Sequence, residues 1–304
     1  MKVQSYSPTH SSAKIASKLT DKLFILNESL QSRLASKSKL KILFSDVELW
    51  QKAISPSFNL TQHEITFGEL SPDSIKAHHL VVPLTISDLK YLNEVRHLIV
   101  NNPIPIPSIE TLLLCDDKVA FNQTLIEKGF ADFIPTVGGE FSYPYILKKR
   151  IDQWGKHSYL ILDAEQEQDF SDRLNHPDYF SQAFVQGSHE YATHIVFKDQ
   201  RIVCSINIEY GFTTEMPIKG KDHSIYRKIC PCPYLNVFSA VLSSIGFEGL
   251  CCVNYKVWQD RPYILEINPR FGSSLCPFFF AFVRHLDWNS AILPKSGRAL
   301  DFSI

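Results

Sequence analysis

The sequence predicts an α/β fold, with a small N-terminal α/β unit followed by a larger unit that carries the candidate chemistry. In the first third of the chain, short apolar runs alternate with helical patterns, as in a mostly parallel sheet. Nearer the C-terminus, Cys251–Trp258 and Tyr263–Asn268 alternate with a period of two around a polar turn. A length of 304 residues is enough for two or three compact units.

Composition excludes several classes of function. Hydrophobic residues make up 44% of the chain and charged residues 21%, which is typical of a globular protein. A net charge of -1 gives no electrostatic reason to expect a nucleic-acid or membrane partner. The densest apolar run, Cys276–Val283, is too short to span a bilayer, and no signal-peptide core opens the chain, so we expect a cytoplasmic protein. The seven cysteines lack zinc-site spacing and are expected to be free thiols.

The N-terminal unit begins with an amphipathic helix within residues 1–38, in which Ile15, Leu19, Leu23 and Leu26 recur at helical spacing. The elements that follow are predicted as strands at Lys39–Ser45, Glu64–Phe67, His79–Leu84 and Leu98–Val100, and a helix at Asp46–Ala53. No G-x-G-x-x-G motif is present, which argues against a dinucleotide-binding unit. The stiff segment Pro103–Pro107 marks a boundary, and the first domain is placed at residues 1–110.

The second unit is predicted to mix helices and strands. A helix runs from Lys118 to about Lys128, with Asp116 or Asp117 as its cap and Gly129 as its stop. The remaining elements are predicted as strands at Tyr145–Leu147, within Tyr179–Val196 and at Arg201–Ile208, a helix at Leu235–Ile245, and an aromatic helix that ends near Leu286.

The hairpin near the C-terminus groups oxygen-bearing side chains. If its turn centres on Asp260, Asn254 lies across from Glu266, and Asn268 follows one step along the same face. Strict alternation would place Leu265 on the other face. Carboxylate and amide oxygens on a rigid sheet suit Mg²⁺. An ordinary edge hairpin with a solvated polar face explains the same pattern, and geometry alone leaves both interpretations open.

The string LEINPRFGSS resembles the metal-binding signature of the ATP-grasp superfamily, in the type similar to the carbamoyl-phosphate-synthase ATP-grasp domain. The resemblance implies that Glu266 and Asn268, with Asn254, bind Mg²⁺ or alternatively Mn²⁺, and that Arg270 contacts phosphate or acyl phosphate. It implies a preATP-grasp domain at 1–110 and an ATP-grasp domain at 111–304. The latter divides into a nucleotide-binding part at about 111–185 and a metal-binding part at about 186–304.

Other marks of the family occur in order along the chain. The resemblance implies that Lys118 and Lys148 contact ATP phosphates and that Gly155 and Lys156 cover them. It also implies that the backbone of Ala183, Phe184 and Val185 binds adenine and that Glu190 binds ribose. Taken singly, these residues fit solvated strand and helix ends equally well. The loop Ile151–Ser158 has one glycine where the family has a glycine-rich loop, and this is the largest departure. In Tyr210–Cys232, His223 and Arg227 are candidates for the phosphate or acceptor site.

The resemblance implies an ATP-dependent ligase. Such an enzyme activates a carboxylate as an acyl phosphate and transfers the acyl group to an amine or another nucleophile, releasing ADP and phosphate, with Lys148 and Arg270 as catalytic cations. The expected partners are a small carboxylate and an amine such as an amino acid or peptide, without nucleic acid or membrane, and a homodimer is left open. Two alternatives remain at this point: an ATP-binding regulatory protein without ligase activity and a small-molecule phosphotransferase.

Overall fold

The computed structural model describes residues 10–35, 39–139, 141–152 and 155–286. The strands are β1 (Lys41–Ser45), β2 (Glu64–Gly68), β3 (Leu80–Val82), β4 (Tyr145–Lys149), β5 (Ser158–Ile161), β6 (Tyr179–Ala183), β7 (His189–Lys198), β8 (Arg201–Gly211), β9 (Tyr226–Cys230), β10 (Gly249–Trp258) and β11 (Arg261–Asn268). The helices are α1 (His10–Ala35), α2 (Glu48–Phe58), α3 (Pro72–Lys76), α4 (Ile86–Glu94), α5 (Ile109–Asp116), α6 (Lys118–Leu125), α7 (Ala164–Asp169), α8 (Ser171–Leu174), α9 (Leu235–Ser244) and α10 (Phe279–Val283). The predicted α/β class is confirmed. Residues 1–9 of the first predicted domain, residues 287–304 of the second, and residues 153 and 154 of the glycine-poor loop lie outside the described residues.

The N-terminal strands form a three-stranded parallel sheet in the order β2-β1-β3. Residues 42–44 of the central strand are buried, because α2 packs on one face of the sheet and α4 on the other. The predicted strand at Leu98–Val100 is wrong: Arg96–Leu98 is a 3₁₀ turn, and Val100 is 76% exposed. The edge of β3 is instead covered by the Asn102 amide, which accepts from Val81 N at 2.8 Å and donates to Val81 O at 3.0 Å.

Two antiparallel sheets build the rest of the fold. One has five strands in the order β11-β10-β7-β8-β9, and the other has three in the order β5-β4-β6. The predicted strands of this region are confirmed, with β8 extended to Gly211. The helix expected from Lys118 is α6, which continues into a π turn at Ile126–Phe130, where Gly129 has φ of 86° and ends the helix as predicted.

An aromatic segment near the C-terminus joins the parallel sheet to the five-stranded sheet. Phe279 is fully buried, and its ring centroid lies 5.6 Å from that of Phe44 in β1 and 5.1 Å from that of Phe271. The predicted core role of Phe278–Phe280 is therefore confirmed. This contact holds α2, which follows β1, beside the segment that leaves β11.

Helix α1 is confirmed as a helix, and it packs with the face opposite to the predicted apolar stripe. Phe24 is 2% exposed and its ring lies 5.8 Å from that of Phe278, while Glu28 forms a 2.6 Å ion pair with Arg284. The stripe residues are each more than half exposed: Ile15, Leu19, Leu23 and Leu26. Across the described parts of the chain, no helix combines the length and apolar character needed to cross a membrane.

Replacing Phe279 by alanine is expected to lower the free energy of unfolding by about 3–5 kcal/mol, because it opens a cavity where the two sheets meet. Chemical denaturation measures this loss. The matched control is Val100→Ala at a site that is 76% exposed, where a change within about 0.5 kcal/mol is expected. A loss below about 1 kcal/mol in Phe279→Ala would contradict the placement of this ring.

Candidate functional site

A cavity of about 660 Å³ lies between the antiparallel three-stranded sheet β5-β4-β6, strands β10 and β11, and the loop at residues 217–220. Its volume is within the range of small-molecule sites. Strands β4 and β6 supply one wall, β10 and β11 supply the facing wall, and the start of α2 closes one end. The cavity therefore collects side chains from segments that are far apart in sequence.

A β-bulge in the β10–β11 hairpin decides which side chains face this cavity. The turn is the two-residue Gln259-Asp260, both with positive φ, so pairing starts at Trp258–Arg261. The register then shifts by one between Asn254 and Tyr255, and Asn254 pairs with Glu266 as predicted.

The bulge also corrects the predicted faces of β11. Leu265 was expected to lie on the face opposite to Glu266, and this is wrong, because Leu265 and Glu266 both line the cavity. The extra residue of the bulge reverses the alternation, so Ile264 and Ile267 point into the core with Tyr255.

A carboxylate and two amides form the centre of the site. Glu266 Oε1 accepts from Asn254 Nδ2 at 2.8 Å and from Asn268 Nδ2 at 2.9 Å. These are the three side chains that the sequence grouped, and the structure brings them together. Their oxygens are hard donors of the kind that Mg²⁺ takes, so the residues fit a magnesium ion. Within the described residues, no cluster of three His, Cys, Asp or Glu side chains offers another metal site.

Lys118 reaches this centre from the first turn of α6. The helix starts there because Asp117 caps it, accepting from Val119 N at 3.1 Å and Ala120 N at 3.2 Å. A backbone bond from Lys118 N to Arg150 O at 3.1 Å ties the helix start to the end of β4. Lys118 Nζ donates to Asp152 O at 2.8 Å and lies 3.5 Å from Glu266 Oε2.

Lys148 reaches the centre from β4. Alternation along this strand packs Tyr145 and Leu147 into a small apolar cluster and turns Ile146 and Lys148 towards the cavity. The next residue of the strand, Lys149, falls on the other face and does not line the cavity. Lys148 Nζ donates to Gln182 Oε1 at 3.3 Å.

The charges at the centre shift one another's protonation. Burial lowers the pKa of Lys148 to about 8, with the positive charge of Lys118 adding to the effect and Glu266 opposing it. Burial alone would raise the pKa of Glu266, but Lys118, Lys148 and the two asparagine amides bring it to about 2. Glu266 is therefore ionised across the physiological range.

Lys219 is the cation at the centre that the sequence did not single out. Its Nζ donates to Asn254 Oδ1 at 2.9 Å, lies 3.3 Å from Glu190 Oε1 and stands 4.7 Å from the ring centre of Tyr210. Burial by itself would lower the pKa of Lys219, but the negative charge of Glu190 and of neighbouring groups outweighs burial, so the pKa is raised. The turn-rich segment Tyr210–Cys232 holds five basic or histidine residues, so sequence spacing could not separate Lys219 from its neighbours.

An apolar slot opens beside Glu190 and is lined by Ile146, Phe184, Val185 and Leu265, next to Ala183. Lys256 enters this slot from β10, donating to Val185 O at 2.8 Å with its Nζ 4.7 Å from the ring centre of Phe184. Burial lowers the pKa of Lys256 to about 8. Alternation along β10 puts Lys256 on the same face as Asn254, so the sequence pattern could have identified Lys256 as a residue of the site.

At the end of the cavity closed by α2, Arg270 lies beside Trp50. The Arg270 side chain donates to Phe271 O at 2.9 Å, and its guanidinium carbon stands 5.9 Å from the ring centre of Trp50. Burial lowers the pKa of Arg270 without removing its charge at neutral pH. Of the two other candidates, Arg227 lines the cavity and His223 does not.

The glycine-poor loop reaches the cavity through Gly155. Its φ is 63°, and a Cβ there would stand 3.0 Å from the Lys219 carbonyl oxygen, so a glycine is needed. Lys156 is exposed and lies outside the residues that line the cavity.

The charge balance of the cavity strongly favours an anion. Of the described residues that line it, six are basic and two are acidic. The basic residues are Lys118, Lys148, Lys219, Arg227, Lys256 and Arg270, and the acidic ones are Glu190 and Glu266. The excess of four positive charges surrounds one carboxylate–amide cluster. A polyanion with three or four negative charges is the ligand that this field attracts.

Comparisons with known proteins agree with this geometry. A family model described as an ATP-grasp domain matches residues 115–274, just over half of the chain. Phosphoribosylamine–glycine ligase from Thermotoga maritima is similar with a TM-score of 0.58 at 16% identity, over 78% of this chain and 71% of that one. The L-amino acid ligase of Bacillus licheniformis gives 0.54 at 12% identity, over 80% and 70%. D-alanine–D-alanine ligase from Bacillus anthracis gives 0.54 at 11%, over 81% and 97%. No curated protein matches the sequence.

Asp117→Ala is expected to lower the free energy of unfolding by roughly 1–2 kcal/mol, because it removes the cap of α6 and the partner of Arg150. Asp117→Asn keeps a capping oxygen and loses only the charge, so its loss is smaller.

The difference between wild type and Asp117→Asn also has a pH signature. Burial raises the pKa of Asp117, but Arg150 and the cap bonds hold it below 3.8. The stability from this charge is thus present above pH 3.8 and is lost as the pH falls through the folded-state pKa. Denaturation midpoints at pH 7 and pH 3 measure it. Asp116→Ala is the control, and an equal loss there would contradict the role of Asp117.

Proposed function

Because the chain belongs to the ATP-grasp family, we propose that it is an ATP-dependent ligase that activates a carboxylate as an acyl phosphate and transfers it to an amine. The observation that carries the proposal is the excess of four positive charges around Asn254, Glu266 and Asn268 in one cavity. That charge balances the charge of ATP.

The proposed position of ATP follows from the walls of the cavity. The adenine ring occupies the apolar slot, against the backbone of Ala183–Val185, and Glu190 accepts from the ribose hydroxyls. The phosphates then extend from the slot towards Lys118 and Lys148. Lys219, which contacts both Glu190 and Asn254, exchanges those partners for phosphate oxygens. Gly155 and Lys156 are proposed to close over the phosphates.

Glu266, Asn254 and Asn268 are the residues that would hold Mg²⁺, or Mn²⁺ in its place, and the ion would neutralise charge between the phosphates. The support is chemical: three hard oxygen donors converge, and Glu266 stays ionised. One carboxylate and two amides carry less negative charge than a dicarboxylate site, so the phosphates of ATP are needed to complete the ligand set.

In the proposed first step, a carboxylate oxygen of the substrate attacks the γ-phosphorus of ATP. The new O–P bond forms as the bond from that phosphorus to the β,γ-bridging oxygen breaks, and the electron pair leaves with ADP. Little covalent chemistry is required of the protein, so positioned charge accounts for the rate. Lys148 stabilises the phosphates, and Arg270 stabilises the transferred phosphoryl group.

In the proposed second step, a neutral amine attacks the carbonyl carbon of the acyl phosphate. The carbon–oxygen bond to phosphate breaks, phosphate leaves with the electron pair, and the nitrogen releases one proton to solvent. Arg270 lines the cavity, and we propose that it lies beside the acyl phosphate and stabilises the leaving phosphate. The carboxylate and the amine are small molecules, with an amino acid or peptide as the expected amine.

Glu266→Ala is expected to reduce carboxylate-dependent ADP release by at least about a hundredfold, because the variant loses the charge that organises the two lysines and the proposed metal ligands. A panel of carboxylates with and without amines is the assay, and hydroxylamine traps acyl phosphate as a hydroxamate. Glu165→Ala on the exposed face of α7 is the matched control and should retain full activity.

Three outcomes of this assay separate the candidate functions. Unchanged ADP release in Glu266→Ala rejects the assignment of this site. A stable phosphorylated product that forms without amine points to a phosphotransferase. ATP binding without ADP release for every acid points to a regulatory protein.

The affinity for ATP is expected to fall as the pH rises above 8. Lys148 has a pKa of about 8 in the free protein and must be protonated to pair with phosphate, so binding takes up a proton above that pH. Lys148 by itself should raise the dissociation constant by up to about tenfold per pH unit between pH 8 and 9.5.

Calorimetric titration of wild type and Lys148→Arg measures this dependence. The arginine stays charged throughout the range, so its slope should be smaller by one proton. Lys256 titrates in the same range and contributes equally to both proteins. Identical slopes would show that Lys148 does not face phosphate.

A further inference from the structure

Two apolar side chains at the end of the cavity closed by α2 have no part in the proposed binding of ATP. Leu49 is 75% exposed and Trp50 is half-buried, and both line the cavity beside Arg270. Exposing a leucine and part of a tryptophan next to a polar site leaves apolar surface in water that a ligand can cover.

Trp50 forms a fixed wall. Its ring centroid lies 5.6 Å from that of Phe271, which is fully buried, and the Arg270 guanidinium stands over the same ring. Phe271 in turn packs on the core aromatic Phe279. A ring held on these contacts offers a preformed surface, so a ligand that packs on it does not have to order the side chain.

The charges of the cavity select against a positively charged group on that ligand. Neither of its two carboxylates is open to such a group, because Glu266 lies 3.5 Å from Lys118 and Glu190 accepts from the ribose hydroxyls in the proposed ATP complex. An ammonium group on the substrate would lose its hydration and meet the positive charge of Arg270 without a carboxylate of its own.

From these contacts we infer that the carboxylate substrate is an acid with an aryl or branched alkyl group and no ammonium group near its carboxylate. Its carboxylate faces Arg270 and its apolar group packs against Trp50 and Leu49. This inference rests on the proposed function for the identity of the reaction, but its binding test does not require turnover.

The test measures binding of three probes to the full chain with Mg²⁺ and a non-hydrolysable ATP analogue. The probes are 3-phenylpropanoate, L-phenylalanine, which adds an ammonium group, and acetate, which lacks the ring. We expect 3-phenylpropanoate to bind at least tenfold more tightly than either of the others. Equal binding of L-phenylalanine or acetate overturns the inference.

Variants locate the apolar contact. Leu49→Asp and Trp50→Ala are each expected to weaken 3-phenylpropanoate binding at least tenfold, while binding of the ATP analogue to Leu49→Asp changes less than twofold. Leu49 is so exposed that its variant folds even if Trp50→Ala does not. Val100→Asp, at 76% exposure on the parallel-sheet unit, is the matched control. Unchanged 3-phenylpropanoate binding in Leu49→Asp also overturns the inference.

ADP release, measured in parallel, tells the two failures apart. Release with acetate or L-phenylalanine but without a preference for 3-phenylpropanoate overturns the inference and leaves the ligase proposal standing. Selective binding of 3-phenylpropanoate without ADP release for any acid supports the apolar site and rejects the ligase proposal.

Discussion

The interaction on which the site depends is the attraction between Glu266 and two buried lysines, Lys118 and Lys148. Each lysine is less than a tenth exposed, and burying two such cations side by side costs several kcal/mol each unless a negative charge compensates them. Glu266 supplies that charge and is itself fixed by the amides of Asn254 and Asn268. The cluster draws together α6, β4 and the β10–β11 hairpin, so one carboxylate sets the distance between the two walls of the cavity.

This arrangement leaves the site with more positive than negative charge. The pKa of Lys148 is lowered mainly by burial, the charge of Lys118 adds to this effect, and the carboxylates Glu266 and Glu190 oppose it only in part. A field of this kind is poor for the stability of the protein alone and favourable for an anion that enters it. Stability is supplied elsewhere, by the aromatic packing around Phe279 and by the antiparallel sheet behind the hairpin.

The glycine-poor loop packs against the segment that carries Lys219. A glycine-rich loop can offer backbone N–H groups to an anion. In this chain, the neighbouring segment brings the side chain of Lys219 to Asn254 and Glu190 in the cavity. The close approach of Gly155 to the Lys219 carbonyl shows that the two segments pack as a pair. The remaining glycine of the loop is thus explained by contact with that lysine.

Several parts of the site were predictable because they depend on local rules. The cap at Asp117 fixes where α6 starts, and alternation along β4 separates Lys148 from Lys149. Both rules depend only on residues that are close together in the sequence, so they can be applied without a structure. The strand wrongly predicted at Leu98–Val100 shows their limit, since three apolar residues do not decide between a strand and a turn when Asn102 can pair with the sheet edge.

The sequence by itself determined the types of most elements, the Glu266–Asn268 pair and the order of the cations along the chain. Tertiary structure decided which side chains meet. The bulge that turns Leu265 into the cavity, the selection of Lys219 from a segment rich in basic residues, and the position of Trp50 against Phe271 all come from contacts between residues distant in sequence. The reason is physical: periodicity fixes the direction of a side chain within its own element, whereas the partner that it meets depends on how separate elements pack.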